Sequence, residues 1–470
     1  MPRKLWIAMF VVVVAMLAGA ASSARAVGRM PIGFFDDPSF RWSKEMPKNL
    51  ALAQAANANI VHVLVNWSTV APTRPANALN GSDPAYHLSD LDALVKLAPK
   101  YGFQILMTIA QTPKWANGGK TPNYAPTNLN TLQQFCQMLA ARYNGSNHGR
   151  GIVRMFSVWN EPNLALFLTP QFKGNKIVSP AEYAKLYMAA YKGIKAGNPS
   201  ALVAAGETSN RGRNAPTGLS SDSVAPATFA HLVSVANPKL PFDAWATHPY
   251  PSSYALGPAQ KVAYPNVGFS TMSRFGADLA KWFHRSVPIW VTEYGEQTAP
   301  ASAVYGPVSY ALQAAHAKAA LKLAAANPYV QMFVWFIFKD SGTPPQTWSS
   351  GLVNSAGTKK PSYNAFKTTA KGMLGQSQVV APGKAFSVKV PVPILTYYNN
   401  PGAKIGVTYK VLVGKTLYAI GQPLEHLARD GTVTIKVNFK PAKGQTYTMN
   451  VVAGDPGRRF ETTNVLLLPK

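Results

Sequence analysis

Met30-Pro31-Ile32-Gly33-Phe34-Phe35-Asp36-Asp37-Pro38 is the stretch that decides between two folds. Its first six residues are apolar almost throughout, the texture of a strand buried on both faces. Two acids and a proline follow. A doubly wound nucleotide-binding sheet would carry a glycine-rich phosphate turn there, so that alternative lacks its signature at the first strand. Similar runs return at Ile60–Asn66, Gln104–Ala110, Ile152–Trp159, Leu202–Gly206, Phe242–Thr247, Pro288–Thr292 and Met332–Phe338. Amphipathic segments separate them. One starts at Ser179-Pro180-Ala181-Glu182, with Ser179 as N-cap, Pro180 as first helical residue and Glu182 as capping-box partner. It stops at Gly197-Asn198-Pro199. Eight strand-and-helix units predict an α/β fold, a (β/α)8 TIM barrel over residues 27–375.

After that the helical period ends. Runs at Phe386–Val392, Ile405–Val413, Val433–Phe439, Tyr447–Val452 and Val465–Leu468 are separated by turns such as Asn399-Asn400-Pro401-Gly402 and Asp430-Gly431. They predict a small C-terminal antiparallel β-sandwich domain over 376–470. It holds Tyr397, Tyr398, Tyr409 and Tyr418 but no tryptophan, which favours an appendage packed on the barrel over a sugar-binding module.

At the other end, Arg3 and Lys4 precede an apolar run from Leu5 to Ala18 and then Ala24-Arg25-Ala26. This is the order of a secretory signal peptide, expected over residues 1–26; the run is short for a bilayer span, and the rival is an uncleaved anchor. The expected location is secreted: extracellular, periplasmic or cell-wall associated, with no membrane span after signal cleavage.

Composition narrows the partners. The 470 residues carry 46 Lys+Arg against 19 Asp+Glu, a net charge of +27, and removal of residues 1–26 leaves +24. Such charge suits nucleic acid, anionic membrane or acidic polymer. Secretion and the lack of a dense basic tract argue against a specific nucleic-acid partner, leaving non-specific adhesion to anionic envelope polymers. The single cysteine, Cys136, excludes an intrachain disulfide and Cys-rich metal sites. No H-E-x-x-H or G-x-S-x-G occurs, and no cofactor or metal is expected.

Active sites of such barrels form where the strands end. The fourth strand runs into Trp159-Asn160-Glu161-Pro162-Asn163, the sixth into Thr247-His248-Pro249-Tyr250, the seventh into Thr292-Glu293-Tyr294-Gly295, and the eighth contains Trp335. Glu161 and Glu293 would therefore face each other across the mouth. Paired carboxylates about 5 Å apart are the equipment of a retaining glycosidase. Glu161 would hold a proton for the leaving oxygen, and Glu293 would stay ionised to attack the anomeric carbon, its charge helping Glu161 keep the proton. Asn160 is placed to bond a sugar hydroxyl, and Trp335 offers a flat face to a sugar ring.

These motifs resemble those of clan A glycoside hydrolases, most closely families 39 and 5. Trp159-Asn160-Glu161-Pro162 is similar to the acid/base motif and Thr292-Glu293-Tyr294-Gly295 to the nucleophile motif. Asn66-Trp67-Ser68, Thr112-Pro113-Lys114-Trp115-Ala116, Ala205-Gly206-Glu207 and Trp348-Ser349-Ser350-Gly351-Leu352 extend the likeness over roughly residues 30–375. The resemblance implies a carbohydrate substrate, His248 and Tyr250 lining the site, and Tyr250 as hydrogen-bond partner of Glu293. Trp67 and Trp115 are candidates for sugar platforms or for packing. In one respect the chain departs: His62 stands where the families often carry an arginine that supports the nucleophile. Glu207 reads as structural or substrate-binding, Glu296 as a loop residue, and Arg211 or Arg213 as a contact to an anionic or heavily hydroxylated substrate, or merely as a solvated loop.

Overall fold

The computed structural model describes residues 30–146, 151–218, 220–299, 306–342, 348–373, 376–392, 395–396, 399–414, 416–429, 431–457 and 460–469. The signal peptide expected at 1–26 lies outside these, as do Tyr397, Tyr398 and Asp430. Among the described residues, no helix is long and apolar enough to cross a membrane.

Eight parallel strands close on themselves: β1 (Ile32–Phe35), β2 (Ile60–Asn66), β3 (Gln104–Ala110), β4 (Met155–Val158), β5 (Leu202–Ser209), β6 (Ala244–His248), β7 (Ile289–Val291) and β8 (Val330–Phe336). Each hydrogen-bonds to its sequence neighbours, and β8 returns to β1. A helix follows each strand: α1 (Met46–Ala55), α2 (Ser89–Leu97), α3 (Leu129–Arg142), α4 (Ser179–Gly197), α5 (Pro226–Ala236), α6 (Met272–Trp282), α7 (Tyr310–Ala326) and α8 (Pro361–Met373). The result is the (β/α)8 barrel that the alternation predicts.

The sequence that excluded a phosphate turn has a different task. Asp36 is fully buried and accepts the backbone N–H of Ser39, Phe338 and Lys339, which ties the top of β1 to the segment after β8. Asp37 accepts from Arg41 and from the backbone of Leu64 on β2. The two acids close the barrel seam on both sides of β1.

Side chains alternate along each strand. Phe35, Leu106, Met155, Ala246, Trp290, Met332 and Val334 fill the barrel interior, while Phe34, Val63, Ile109, Phe333 and Trp335 join the larger core under the helices. At α4, Ser179 is the first helical residue and does not cap; its hydroxyl donates to Gln171 Oε1 at 2.7 Å, and Val178 takes the cap position. The helix ends at Gly197 as expected.

The C-terminal strands are β9 (Gln376–Val380), β10 (Phe386–Pro391), β11 (Lys404–Val413), β12 (Thr416–Gly421), β13 (Leu424–His426), β14 (Thr432–Val437), β15 (Tyr447–Gly454) and β16 (Phe460–Pro469). One sheet runs β9-β16-β15-β11-β12, with β13 also on β11; the other is β10-β14. Val388, Ile435, Val407, Met449 and Leu467 form a shared core. All pairs are antiparallel except β9 with β16. Arg154, just before β4, donates to the Arg429 carbonyl at 2.8 Å. Contact is thus made at the amino end of a barrel strand, opposite the end where the strands deliver their polar residues.

Candidate active site

Beyond β4 the backbone leaves the extended region abruptly: Trp159 has φ 71° and Glu161 φ 39°. Left-handed conformations of this kind are costly for non-glycine residues and persist only when their surroundings hold them. Here the Trp159 amide donates to Ile109 O at 2.7 Å, its indole N–H to Phe167 O at 2.7 Å, and the Glu161 amide to Glu207 O at 2.9 Å. Glu207 is itself left-handed, at φ 49°. The strain aims Glu161 into the barrel mouth.

Glu293 follows β7 on the far side. Its neighbour Gly295 lies so close to β8 that a Cβ would stand 1.9 Å from the Phe336 carbonyl oxygen. The Tyr250 hydroxyl donates to Glu293 Oε2 at 3.1 Å, the contact implied by the resemblance.

Between the two glutamates lies His248, fully buried. Its Nδ1 is 2.9 Å from Glu161 Oε1 and 3.7 Å from Glu293 Oε2, and its Nε2 is 2.8 Å from Glu207 Oε2. Carboxylates accept hydrogen bonds, so an imidazole bonded at both nitrogens to carboxylates donates twice and is charged. Burial works against that charge, but Glu293, Glu161 and Glu207 together outweigh it and hold the His248 pKa well above 6.5. Burial also opposes ionisation of Glu207, yet the hydrogen bond and charge of His248 keep its pKa below the ordinary value. The Thr292 hydroxyl adds a donor to Glu207 at 2.7 Å.

One oxygen from Glu161, one from Glu293 and one nitrogen of His248 lie within 4.8 Å of one another. This is the one trio among the described residues with metal-ligand spacing. With both ring nitrogens donating, His248 has no lone pair for a metal, and the cluster reads as a proton-sharing group.

His62 does not touch the Glu293 carboxylate. Its Nδ1 faces the Thr292 carbonyl at 3.0 Å, so that nitrogen carries the proton, and its Nε2 accepts from the Thr108 hydroxyl at 2.6 Å. Burial pushes its pKa down to about 4, which leaves it neutral. The cation beside Glu293 is His248 instead. For Glu293, burial is the largest influence: it lifts the pKa to about 7, against the lowering effect of His248 and with Glu161 and Glu207 adding to the rise.

The mouth is a cavity of about 440 Å³ lined by Asn160, Glu161, Tyr250, Glu293 and Arg211, with walls of Phe35, Leu64, Leu164, Leu166, Phe167, Phe336 and Trp348. Asn160, Glu161, Tyr250 and Glu293 are brought together, with His248 beneath them. The tryptophan expectations need correction. Trp335 is 0% exposed, packs edge-on against Tyr294 and donates to Ser350 O at 2.8 Å, so it presents no face to the cavity. Phe336, one residue on, does line it. Trp67 is buried on Phe135 and against the edge of Trp115, whose indole donates to Ala71 O. Trp67 and Trp115 border a different groove, with Arg74 and Tyr86. Glu296 is a buried member of a cluster with Tyr294 and His316 rather than a free loop residue.

The family model described as Cellulase (glycosyl hydrolase family 5) matches residues 28–340. Among solved structures, a family 39 glycoside hydrolase from the gut symbiont Bacteroides cellulosilyticus WH2 is 17% identical, over 87% of this chain and 81% of that one, with TM-score 0.54. A glucosidase from Croceicoccus marinus is 12% identical over 93% and 96%, with TM-score 0.53. A GH5_18 protein from Streptomyces cattleya, in complex with Manb1-4GlcNAc, is 16% identical over 76% and 85%, with TM-score 0.54. These three are likenesses of fold. No curated protein matches the chain.

Proposed function

The chain belongs to glycosyl hydrolase family 5, and on that premise we propose that it is a secreted retaining glycosidase acting on a polysaccharide or oligosaccharide. Glu161 is the acid/base and Glu293 the nucleophile. The observation that carries this reading is the approach of their oxygens to within 4.8 Å. Retaining enzymes keep their carboxyl groups about 5–5.5 Å apart, whereas inverting ones need about 6.5–9.5 Å to admit a water between.

In the first step a Glu293 oxygen attacks the anomeric carbon while Glu161 gives its proton to the leaving oxygen, and a glycosyl ester forms. In the second, Glu161 takes a proton from water, and the water displaces Glu293. Tyr250 and the His248 charge steady the Glu293 carboxylate when it leaves. Asn160 is the candidate partner for a hydroxyl beside the reacting carbon. Proton magnetic resonance of the first-formed product tests the reading: the anomer should match that of the substrate. Initial release of the opposite anomer would refute double displacement.

A second expectation concerns pH. Glu293 must be ionised to attack, and burial lifts its pKa to about 7. Above that value the carboxylate is free to attack; as pH falls through it, the nucleophile takes up a proton. The value of kcat/KM should therefore fall roughly tenfold per pH unit below about 7. A profile flat from about pH 7 down to about pH 5 would show that ionisation of Glu293 does not govern the rate.

Secretion rests on the order of residues in 1–26, and the excess of basic groups favours lingering on anionic envelope polymers, weakened by salt. A non-catalytic polysaccharide-binding protein on the same barrel is the alternative. Turnover of any glycoside that is lost in Glu161→Gln would exclude it.

A further inference from the structure

The wall beside Glu161 differs from what a second sugar would need. The acid/base stands next to the leaving oxygen, so the loops after β4 and β5, which flank it, face the leaving group. Leu164, Leu166 and Phe167 come from the first of these loops and line the cavity. Leu166 is 67% exposed, and with Leu164 and Phe167 it lines the cavity as a group rather than singly.

Its exposure is built into the backbone. The Ala165 amide donates to Asp222 O at 2.9 Å, the Asn123 side chain to Ala165 O at 2.8 Å, and the Trp159 indole to Phe167 O. Asn163 anchors the same loop through Val224 O and the Ser209 amide. A segment pinned on both flanks of Leu166 presents that side chain by construction.

Two polar side chains on this side, Ser209 and Asn210, are committed to the fold, while Arg211, exposed on the loop after β5, lines the cavity with them. The Ser209 hydroxyl donates to Asn210 Oδ1, and the Asn210 amide donates to Tyr250 O at 2.6 Å. A sugar leaving group carries several hydroxyls that need partners, and a branched aliphatic side chain offers neither a partner nor a flat face. From this we infer that the leaving-group side takes an apolar aglycone, alkyl or aryl, in preference to another sugar, with Leu166 as a specificity-determining contact. The inference rests on the assignment of Glu161 as acid/base. Its chemistry is the same hydrolysis: the glycosidic C–O bond breaks, the aglycone leaves as an alcohol with the Glu161 proton, and water supplies the hydroxyl of the free sugar.

The test uses one glycone, chosen as the one whose aryl glycoside the protein cleaves, carried on methyl, n-octyl and sugar leaving groups. Methyl and octyl alcohols are similar leaving groups chemically, so their ratio reads apolar contact alone. The octyl glycoside should exceed both the methyl glycoside and the disaccharide in kcat/KM by about tenfold or more. Leu166→Ser, an exposed change, should cut the octyl value by about fivefold while the methyl value stays within about twofold. A disaccharide cleaved as well as the octyl glycoside, or a Leu166→Ser loss equal for octyl and methyl, would overturn the inference and leave the glycosidase reading intact. Absence of turnover with every leaving group and glycone would sink both.

Discussion

Glu293→Ala should lower hydrolysis of an aryl glycoside by on the order of 10⁴-fold or more, because the variant lacks the atom that forms the intermediate. Azide should restore turnover. The deleted carboxylate leaves space beside the Tyr250 hydroxyl and the charged His248, whose nitrogen lies 3.7 Å from Glu293 Oε2 in the intact site. A small anion entering there attacks from the nucleophile's face, so the glycosyl azide has the configuration opposite to the substrate. Glu161→Ala gives the complementary result. There the glycosyl–enzyme still forms from an activated substrate, azide replaces water in the second step, and the azide product retains the substrate configuration. The two configurations, read by magnetic resonance, assign the roles independently of any rate. A retained azide from Glu293→Ala would exchange the assignments, and full activity in that variant would remove Glu293 from the chemistry.

The sequence makes these two residues easy to find and the groups around them hard. β2 and β3 occupy Ile60–Asn66 and Gln104–Ala110, the runs read from hydropathy, because both are mostly apolar segments between polar loops, with His62 and Thr108 the polar residues inside them. β5 continues to Ser209, past the expected end at Gly206, since Glu207 and Thr208 are polar yet fully buried. A hydropathy pattern places a strand end where a buried charge begins. The partners of Glu207 are His248 and Thr292, on β6 and just after β7, and no local spacing encodes that meeting. The Trp335 error is one of parity. Met332, Val334 and Phe336 turn inward while Phe333 and Trp335 face the helices, and a slip of one residue exchanges the faces of a strand. The Leu164–Phe167 wall has no motif at all. It is apolar sequence in a loop, and only the tertiary hydrogen bonds that pin it show which way it points.

Glu207 carries the second large effect, and it does so without lining the cavity. Glu207→Ala removes a carboxylate that receives both His248 Nε2–H and the Thr292 hydroxyl. Breaking a buried ion pair on one side typically costs about 3–5 kcal/mol, so urea unfolding should show a loss of that order. The smaller change Glu207→Gln separates positioning from stability. With the carboxylate charge gone, one of the groups that hold the His248 proton is gone, and the imidazole gives up its charge at lower pH. His248 is the strongest influence keeping the Glu293 pKa from rising further, stronger than the opposing push of Glu207 itself. Glu293 should then hold its proton to higher pH. The acid-side fall of kcat/KM should move above its wild-type position near pH 7, and kcat should drop by on the order of 10²-fold as the carboxylates lose their shared anchor. A residue that merely fills space would lower stability and leave the limb where it was. An unmoved limb in a folded Glu207→Gln protein would reduce Glu207 to packing and transfer the support of the nucleophile to Tyr250 alone.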